Sequence, residues 1–575
     1  MKKYISVILA LCFSHLAFAQ IAVPLRFDKY YTYAEVVEAI KALNKAYPDL
    51  TKAVLVGKSE ENREIWALEI NNPKTGNPLE KPGVYMDGNI HGNEIQAAEV
   101  ALYFADYMLK NYGKIQEITK TVDRNSFYII PVVNVDGRYH FMSDGNTMNS
   151  SRTIRVSRDD DKDGLFEEDP ADDLDGDGNI CRMRIKDPNG KFRTDPEEPR
   201  LMLRVKEGEK GEWNLLGEEG IDNDNDGQIN EDGIGYLDGN RNWGYEWQPR
   251  YIEGGAGNYP LEAVGLKAIA TYIVERPNII VSYAFHNSGG MYLRGPGNKG
   301  QMPYNPYDVA VYDILGQHAE KIVPGYKYMI SWKDLYVTYG DFSEFMHNLQ
   351  GSYSFVGELF MSASETYSKD VPKKEDDDYW GEPKNNQRDI ERLKFNDRLA
   401  HGTLFKNWTV FKHPVFGDIE IGGWVKYSTR MPHPFMLEDL VHRNASAILF
   451  ASSQTPDVSM ELLGLTKLEG NIYQVDVRLK NSNAIPSMSY HAANKKLYPK
   501  DMLKLIGGKV IAAGEITDRF NKKVNYKIHK PEVQFLQVPG YGICEYRFLI
   551  EGSGTVNLLY ESVKAGKRKL EVKLK

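Results

Sequence analysis

The 575-residue chain sets 71 Lys and Arg against 80 Asp and Glu, a net charge of −9, and has no basic stretch, so nucleic acid is not an expected partner. Its length exceeds one ordinary domain and predicts two or three, with ample apolar content for a core. Three cysteines in the whole chain exclude a disulfide-scaffolded fold.

Met1-Lys2-Lys3 precedes an apolar run from Tyr4 to Phe18 ending in Ala17-Phe18-Ala19, which predicts a signal peptide over 1–19 and an exported protein, periplasmic or extracellular. That run is shorter than a membrane span and no later stretch approaches one, so no integral membrane segment is expected after processing. Cys181 and Cys544 then remain; nothing forces a bridge between them.

In chain order, Tyr33, Val36, Val37, Ile40 and Leu43 predict an amphipathic helix within 31–46, and Val54–Val56 with Ile65–Leu68 predict a hairpin. A strand at Gly83 to Gly88 runs through a Gly/Asn turn holding His91 and Glu94 into an apolar helix from Ile95. Three further short apolar runs follow: Ser126 to Val133 leading into Asn134, Asn278 to Phe285 leading into His286, and Tyr353 to Gly357 leading into Glu358. Continuous apolar strands separated by helices predict a largely parallel sheet flanked by helices, and in such sheets ligands sit beyond the carboxyl ends of the strands. Four polar groups, His91, Asn134, His286 and Glu358, fall at that edge.

Residues 142–236 interrupt the pattern. Between 159 and 177 lie eleven acids and one Lys. Asp159-x-Asp161-x-Asp163-Gly164 is echoed by Asp222-x-Asp224-x-Asp226-Gly227, and a shorter version starts at Asp173. Alternating Asp before Gly resembles the first half of an EF-hand loop without its closing Glu, and makes these six aspartates candidate calcium ligands in an acidic insertion. Asp370 to Asn386 is expected to be a surface loop and Arg388 to Trp408 a helix. From about 456 short alternating runs predict a β-sandwich-like domain over 456–575, a candidate site for a glycan or surface partner. The domains expected are therefore 20–455, carrying the insertion, and 456–575.

His91-x-x-Glu94 alone is equally a turn histidine with a first-turn glutamate favoured by the helix dipole. With His286 the pair completes the two-His, one-carboxylate set of a catalytic zinc site, which leaves one position for water. The ordered series His91-x-x-Glu94, Asn134-x-Asp136-Gly137, Asp238-Gly239-Asn240-Arg241-Asn242-Trp243, His286, Tyr336-x-x-x-Gly340 and Glu358 resembles the zinc carboxypeptidase family over roughly Tyr30 to Phe360, less the acidic insertion. The resemblance implies His91, Glu94 and His286 as ligands of one Zn2+, Glu358 as the general base that later acts as acid, and a peptide substrate with a free C-terminal carboxylate. It implies Asn240 and Arg241 as the carboxylate grip, Tyr336 as the tyrosine that closes over it, and Arg152, with Arg155 as the alternative, as the cation steadying the oxyanion. Val135 stands where the family has Pro, Gly239 where a larger residue is usual, which predicts a looser Arg241 loop, and Asn93 replaces an arginine between the ligands. Ser343 at the specificity position does not support a preference for Lys or Arg, although Glu344 is its neighbour. The alternatives are an amidohydrolase of the same architecture acting on cell-wall peptides or N-acyl amino acids, and an inactive binding protein, which would be expected to have lost ligands.

Overall fold

The computed structural model describes residues 23–159, 162–361 and 386–574. The expected signal peptide, Asp161 and nearly all of the expected 370–386 loop lie outside the described residues. No described helix is long and apolar enough to cross a membrane.

Helix α1 (Tyr33–Ala46) begins at a capping box: the Thr32 side chain accepts from the Glu35 N–H, and the Glu35 carboxylate accepts from the Thr32 N–H. Its apolar stripe lies against the antiparallel pair β1 (Thr51–Lys58) and β2 (Glu64–Ile70). Next come β3 (Gly83–Gly88), α2 (Gln96–Asn111), α3 (Gln116–Arg124), β4 (Ser126–Ile130) and α4 (Val135–Ser143). The acidic region supplies β5 (Arg182–Lys186), β6 (Phe192–Thr194), β7 (Met202–Arg204) and β8 (Trp213–Glu218). The main fold resumes with α5 (Val264–Val274), β9 (Ile279–Asn287), β10 (Met291–Arg294), α6 (Pro306–Ile322), β11 (Lys327–Ile330), α7 (Phe342–Asn348) and β12 (Tyr353–Leu359).

The main sheet has eight strands in the order β1-β2-β4-β3-β9-β12-β10-β11. Its centre, β4, β3, β9 and β12, is parallel throughout. These strands are apolar without alternation because helices cover both faces: Val84, Met86, Phe127, Ile129, Ile279, Val281 and Phe285 are fully buried. At ~1.5–3 kcal/mol for each large buried apolar side chain, the centre of the sheet fixes the positions from which the carboxyl-end loops emerge. His286 and Glu358 lie within the last turns of their strands rather than after them, paired across β9 and β12.

The acidic region is more than a loop. Strands β5 to β8 join β13 (Phe405–His413) and β14 (Gly417–Trp424) in a six-stranded antiparallel sheet, order β13-β14-β5-β8-β6-β7, over a small core of Cys181, Met183, Ile419, Ile421 and Val425. The helix expected to reach Trp408 stops short: α8 (Gln387–Arg398) ends at Arg398, where His401 and Gly402 take left-handed backbone angles of +55° and +76° and turn the chain into β13. Helix α9 (Pro434–Ser453) then packs against α2 and α6.

Residues 458–574 form two antiparallel sheets of five and four strands enclosing one core that includes Val475, Val477, Leu503, Phe548, Val556 and Leu558. One turn of this unit penetrates the main domain. Lys564 is wholly buried there and donates to the carbonyls of Pro277 at 3.0 Å, Ile279 at 2.5 Å and Gln350 at 2.7 Å. Cys181 and Cys544 are both free.

Candidate metal centre and substrate cleft

Strand β3 ends at Gly88, and the turn that follows is built to aim two side chains. Asn89 takes a left-handed φ of +59°, and its side-chain amide donates to the carbonyls of His91 at 2.6 Å and Gly92 at 3.0 Å. Asn89 is itself fixed from outside by Arg138 of α4, which is wholly buried and donates to Asn89 Oδ1 and the Ile95 carbonyl, both at 2.8 Å, and to Glu99 at 2.7 Å. Gly92 is required by close packing: a Cβ there would lie 2.2 Å from the Ser151 carbonyl oxygen and 2.4 Å from Gly137.

The outcome is a compact triangle. His91 Nδ1 lies 3.0 Å from Glu94 Oε1, His286 Nδ1 3.2 Å from Glu94 Oε2, and the two Nδ1 atoms 3.1 Å apart. Donors about 2.0–2.1 Å from one tetrahedral ion stand roughly 3.3 Å apart, so these spacings, which run to both oxygens of Glu94, are of the size zinc requires, and the N, N, O set is a zinc set. Glu94 Oε2 is buried without a hydrogen-bond donor, as expected of an oxygen that faces an ion. Burial opposes charge on Glu94, yet His91, His286 and Arg152 outweigh it and hold the carboxyl well below the usual range.

Asp238 supports this centre and was given no role from the sequence. Its Oδ1 lies 3.0 Å from His91 Nε2, as does Arg152 Nη2, so both outer groups hold the ring with Nδ1 toward Glu94, and the Asp238 side chain also caps the Asn240 N–H at 2.8 Å. Burial works against its charge too, and His91 and Arg241 hold it well below the ordinary aspartate range. The signal was present as an acid three residues before Arg241, but nothing in the spacing says that it reaches His91.

Of the two candidate arginines, Arg152 reaches the centre and Arg155 does not. Arg152 Nη1 donates to Glu94 Oε1 at 2.7 Å and Nη2 is 3.6 Å from Asp238, whereas Arg155 lies 3.5 Å from Glu61. Asn134 serves Arg152 rather than the metal: it caps α4 and donates to the Thr153 carbonyl at 3.0 Å, while Gly92 N–H binds the Arg152 carbonyl at 2.9 Å. Glu358 pairs with His286 in strand register, about 4.8 Å away across the sheet. Burial pushes its carboxyl up to about 7, with Glu94 adding to the rise and His286 and Arg152 opposing it.

Arg241 is anchored by Nε to Glu253 at 3.1 Å and by Nη1 to the Asn240 carbonyl at 2.8 Å, with its Cζ 5.8 Å from the centre of the Tyr336 ring. Asn240 Oδ1 accepts the Phe342 N–H at 3.0 Å, tying this loop to α7. The loop is not loose at Gly239: a Cβ there would stand 2.9 Å from Ile90 and 3.0 Å from Ile154, so the missing side chain is replaced by packing. Gly340, at φ +62°, lets the Tyr336 loop approach the Arg241 carbonyl. Ser343 donates to Asp341 at 2.7 Å, while Glu344 is buried against Tyr304, and burial together with Asp341 pushes its carboxyl up to about 8.

The acidic region groups its carboxylates across the repeats rather than within the first one. Asp163, Glu168 and Asp224 form one cluster, Asp169, Asp224 and Glu231 a second, Asp222, Asp224 and Asp226 a third, and Asp173, Asp175 and Glu219 a fourth. Asp159 joins none of these among the described residues; it accepts backbone N–H groups from its own loop instead. In the fourth cluster Lys406 already pairs with Asp175.

Residues 36–195 match the family model described as zinc carboxypeptidase, and residues 457–573 match a domain of unknown function. Carboxypeptidase D of Rattus norvegicus is 33% identical over 135 residues, 24% of this chain and 10% of that protein. Mast cell carboxypeptidase A of Rattus norvegicus is 30% identical over 111 residues, 19% of this chain and 26% of that protein. The chain thus spans between a tenth and about a quarter of the length of these relatives. Among solved structures, carboxypeptidase A from Helicoverpa armigera aligns at 17% identity over 78% of this chain and 81% of that chain, with a TM-score of 0.43.

Proposed function

We propose, from the premise that this chain carries a zinc carboxypeptidase domain, that it is a metallocarboxypeptidase removing the C-terminal residue of a peptide. The observation that carries the reading is the cluster of His91, Glu94 and His286, with contacts of 3.0–3.2 Å, beside which Glu358 and Arg152 lie. Zinc bound there supplies a Lewis acid that polarises the scissile carbonyl and acidifies water.

The remaining work falls to the protein's own groups. Arg241, its Nε and Nη1 held by Glu253 and the Asn240 carbonyl, offers Nη2 and its charge to the substrate's terminal carboxylate, and Tyr336 lies beside it. Arg152, ion-paired with Glu94 and half-buried, presents positive charge where negative charge develops on the carbonyl oxygen. Glu358, poised near neutral pH, takes a proton from the attacking water and returns it to the departing amine. An inactive binding protein would not be expected to keep the whole ligand set together with its Asp238 support. Glu358→Gln is expected to retain one zinc per chain and to lose about 100-fold or more in turnover; zinc retention with unchanged release of C-terminal residues would remove Glu358 from the mechanism. Cleavage of C-terminally amidated peptides as fast as free ones would point to a different amide hydrolase.

A second reading concerns the acidic region, where divalent cations bridge the repeats. It is supported by Glu168 Oε2 and Glu231 Oε2, both buried without a donor inside the clusters that share Asp224. Calcium is expected to raise the melting temperature of chelator-treated protein; no shift with millimolar calcium would discard it.

A further inference from the structure

The segment between β14 and α9 sends one arginine to the metal centre from outside the residues matched by the family model. Arg430 Nη1 stands 3.8 Å from Glu94 Oε1 and donates to the carbonyl of Asn287, the residue after the ligand His286, at 3.3 Å. Its backbone carbonyl in turn accepts from Asn287 Nδ2 at 2.8 Å, so the loop and the end of β9 grip each other reciprocally. Nη2 donates to Asn149 Oδ1 at 3.3 Å, and Asn93 donates to the Asn149 carbonyl at 3.2 Å.

Two features separate this guanidinium from a structural clamp. Both of its side-chain hydrogen bonds are long, and Nε, buried, has no partner, so much of a five-donor group remains unused. The side chain is also 28% exposed, so solvent and a ligand can reach it. Arg241 is bonded to Glu253 and lies beside Asp238 and Tyr336, whereas Arg430 is bonded to Asn287 and Asn149 and lies beside Glu94. Arg241 and Arg430 share no bonded partner, so two guanidiniums stand at separate places beside the triad, one for the terminal carboxylate and one left for another acidic group of the substrate. The neighbours there include the neutral amides of Asn93, Asn149 and Asn287; of the carboxylates, Glu94 already faces two histidines and Arg152, and Glu358 acts on both His286 and Arg430.

We propose that Arg430 forms a subsite for a carboxylate on the amine side of the scissile bond, so that the preferred substrates are acidic peptides with Asp or Glu next to the C-terminal residue. The proposal rests on the carboxypeptidase reading for its substrate class, and its test is designed to separate the two. Zinc-loaded Glu358→Gln protein, which binds without turning over, is titrated calorimetrically with two peptides differing only in Glu or Gln at the penultimate position. The Glu peptide is expected to bind about tenfold more tightly, the scale of one added charge-assisted hydrogen bond. In Glu358→Gln/Arg430→Gln that ratio falls to about one, with zinc content and melting temperature recorded on the same sample. Asn149→Asp, which places a competing carboxylate against the guanidinium, reduces the ratio without removing the arginine and serves if the first variant folds poorly. Equal affinity of the parent protein for both peptides, or a ratio that survives both substitutions, overturns the subsite. Failure of the wild-type protein to release any C-terminal residue would strike the carboxypeptidase reading, while the binding ratio would still report on Arg430.

Discussion

Asp238 offers the sharpest test of how the metal centre is held. Replacing it by Ala removes the acceptor 3.0 Å from His91 Nε2 and leaves Arg152 Nη2, also at 3.0 Å, as that nitrogen's outer partner; a donor there favours the proton on Nδ1, the atom that faces Glu94 and His286. Losing the outer partner of a ligating histidine typically costs 10–100-fold in metal affinity, which is about 1.4–2.7 kcal/mol. The Ala variant is placed at the upper end, because the site is buried and the lost carboxylate also stood beside Arg152 and Arg241. Asn at the same position keeps an acceptor oxygen and the cap on the Asn240 N–H, losing only charge, and is placed at the lower end. The assay is zinc affinity by chelator competition, with the melting temperature of the metal-free protein as a control, since the lost cap alone costs about 1 kcal/mol of stability. An Ala variant that binds zinc within twofold of wild type would falsify the account of His91 given above.

Three other outcomes follow from the same geometry. Arg138→Met leaves Glu99 buried and uncompensated and is expected to destabilise the fold by about 3–5 kcal/mol in denaturant titration, most of it restored in Arg138→Met/Glu99→Gln; equal instability of the double variant would show that packing, not charge, is at stake. Gly92→Ala pushes a methyl group into the Ser151 carbonyl oxygen and should lower zinc occupancy while leaving far-ultraviolet circular dichroism unchanged, whereas full occupancy would mean that the turn yields. In the C-terminal unit burial pushes Asp501 up to about 6, above its unfolded value of about 4, so the folded state keeps the proton longer. Stability of that unit should therefore fall as pH rises from about 4 to 6 and level off beyond, by roughly 3 kcal/mol at most, and Asp501→Asn should flatten the slope; a slope indifferent to the substitution would assign it elsewhere.

The meeting of His91, Glu94 and His286 could be read from the chain because each follows a short apolar run, and parallel strands deliver their ends to one edge. Glu358 was legible for the same reason, and strand register makes it a neighbour of His286. Groups that act by long-range contact left no such trace. Arg138 is one more cation in a polar helix until Tyr31, Asn89 and Glu99 close around it. Arg430 lies in a loop whose sequence has no periodicity, and only the pairing of β14 with β5 and the docking of α9 bring it to the centre. The acidic region misled differently: its charge hid four short strands, of which β5 pairs with β14 far downstream and the others extend the sheet from β5. Local pattern could not foresee that pairing.

The lysine driven beneath the central sheet ties the fate of the two halves together. A shortened protein ending before residue 456 would lose the ammonium on which the carbonyls of Pro277, Ile279 and Gln350 converge, exposing three acceptors at the root of the very strand that delivers His286. Trimming to the N-terminal domain is therefore expected to yield soft, poorly metallated material, and the C-terminal unit is better regarded as a wedge under the hearth of the metal centre than as a detachable appendage.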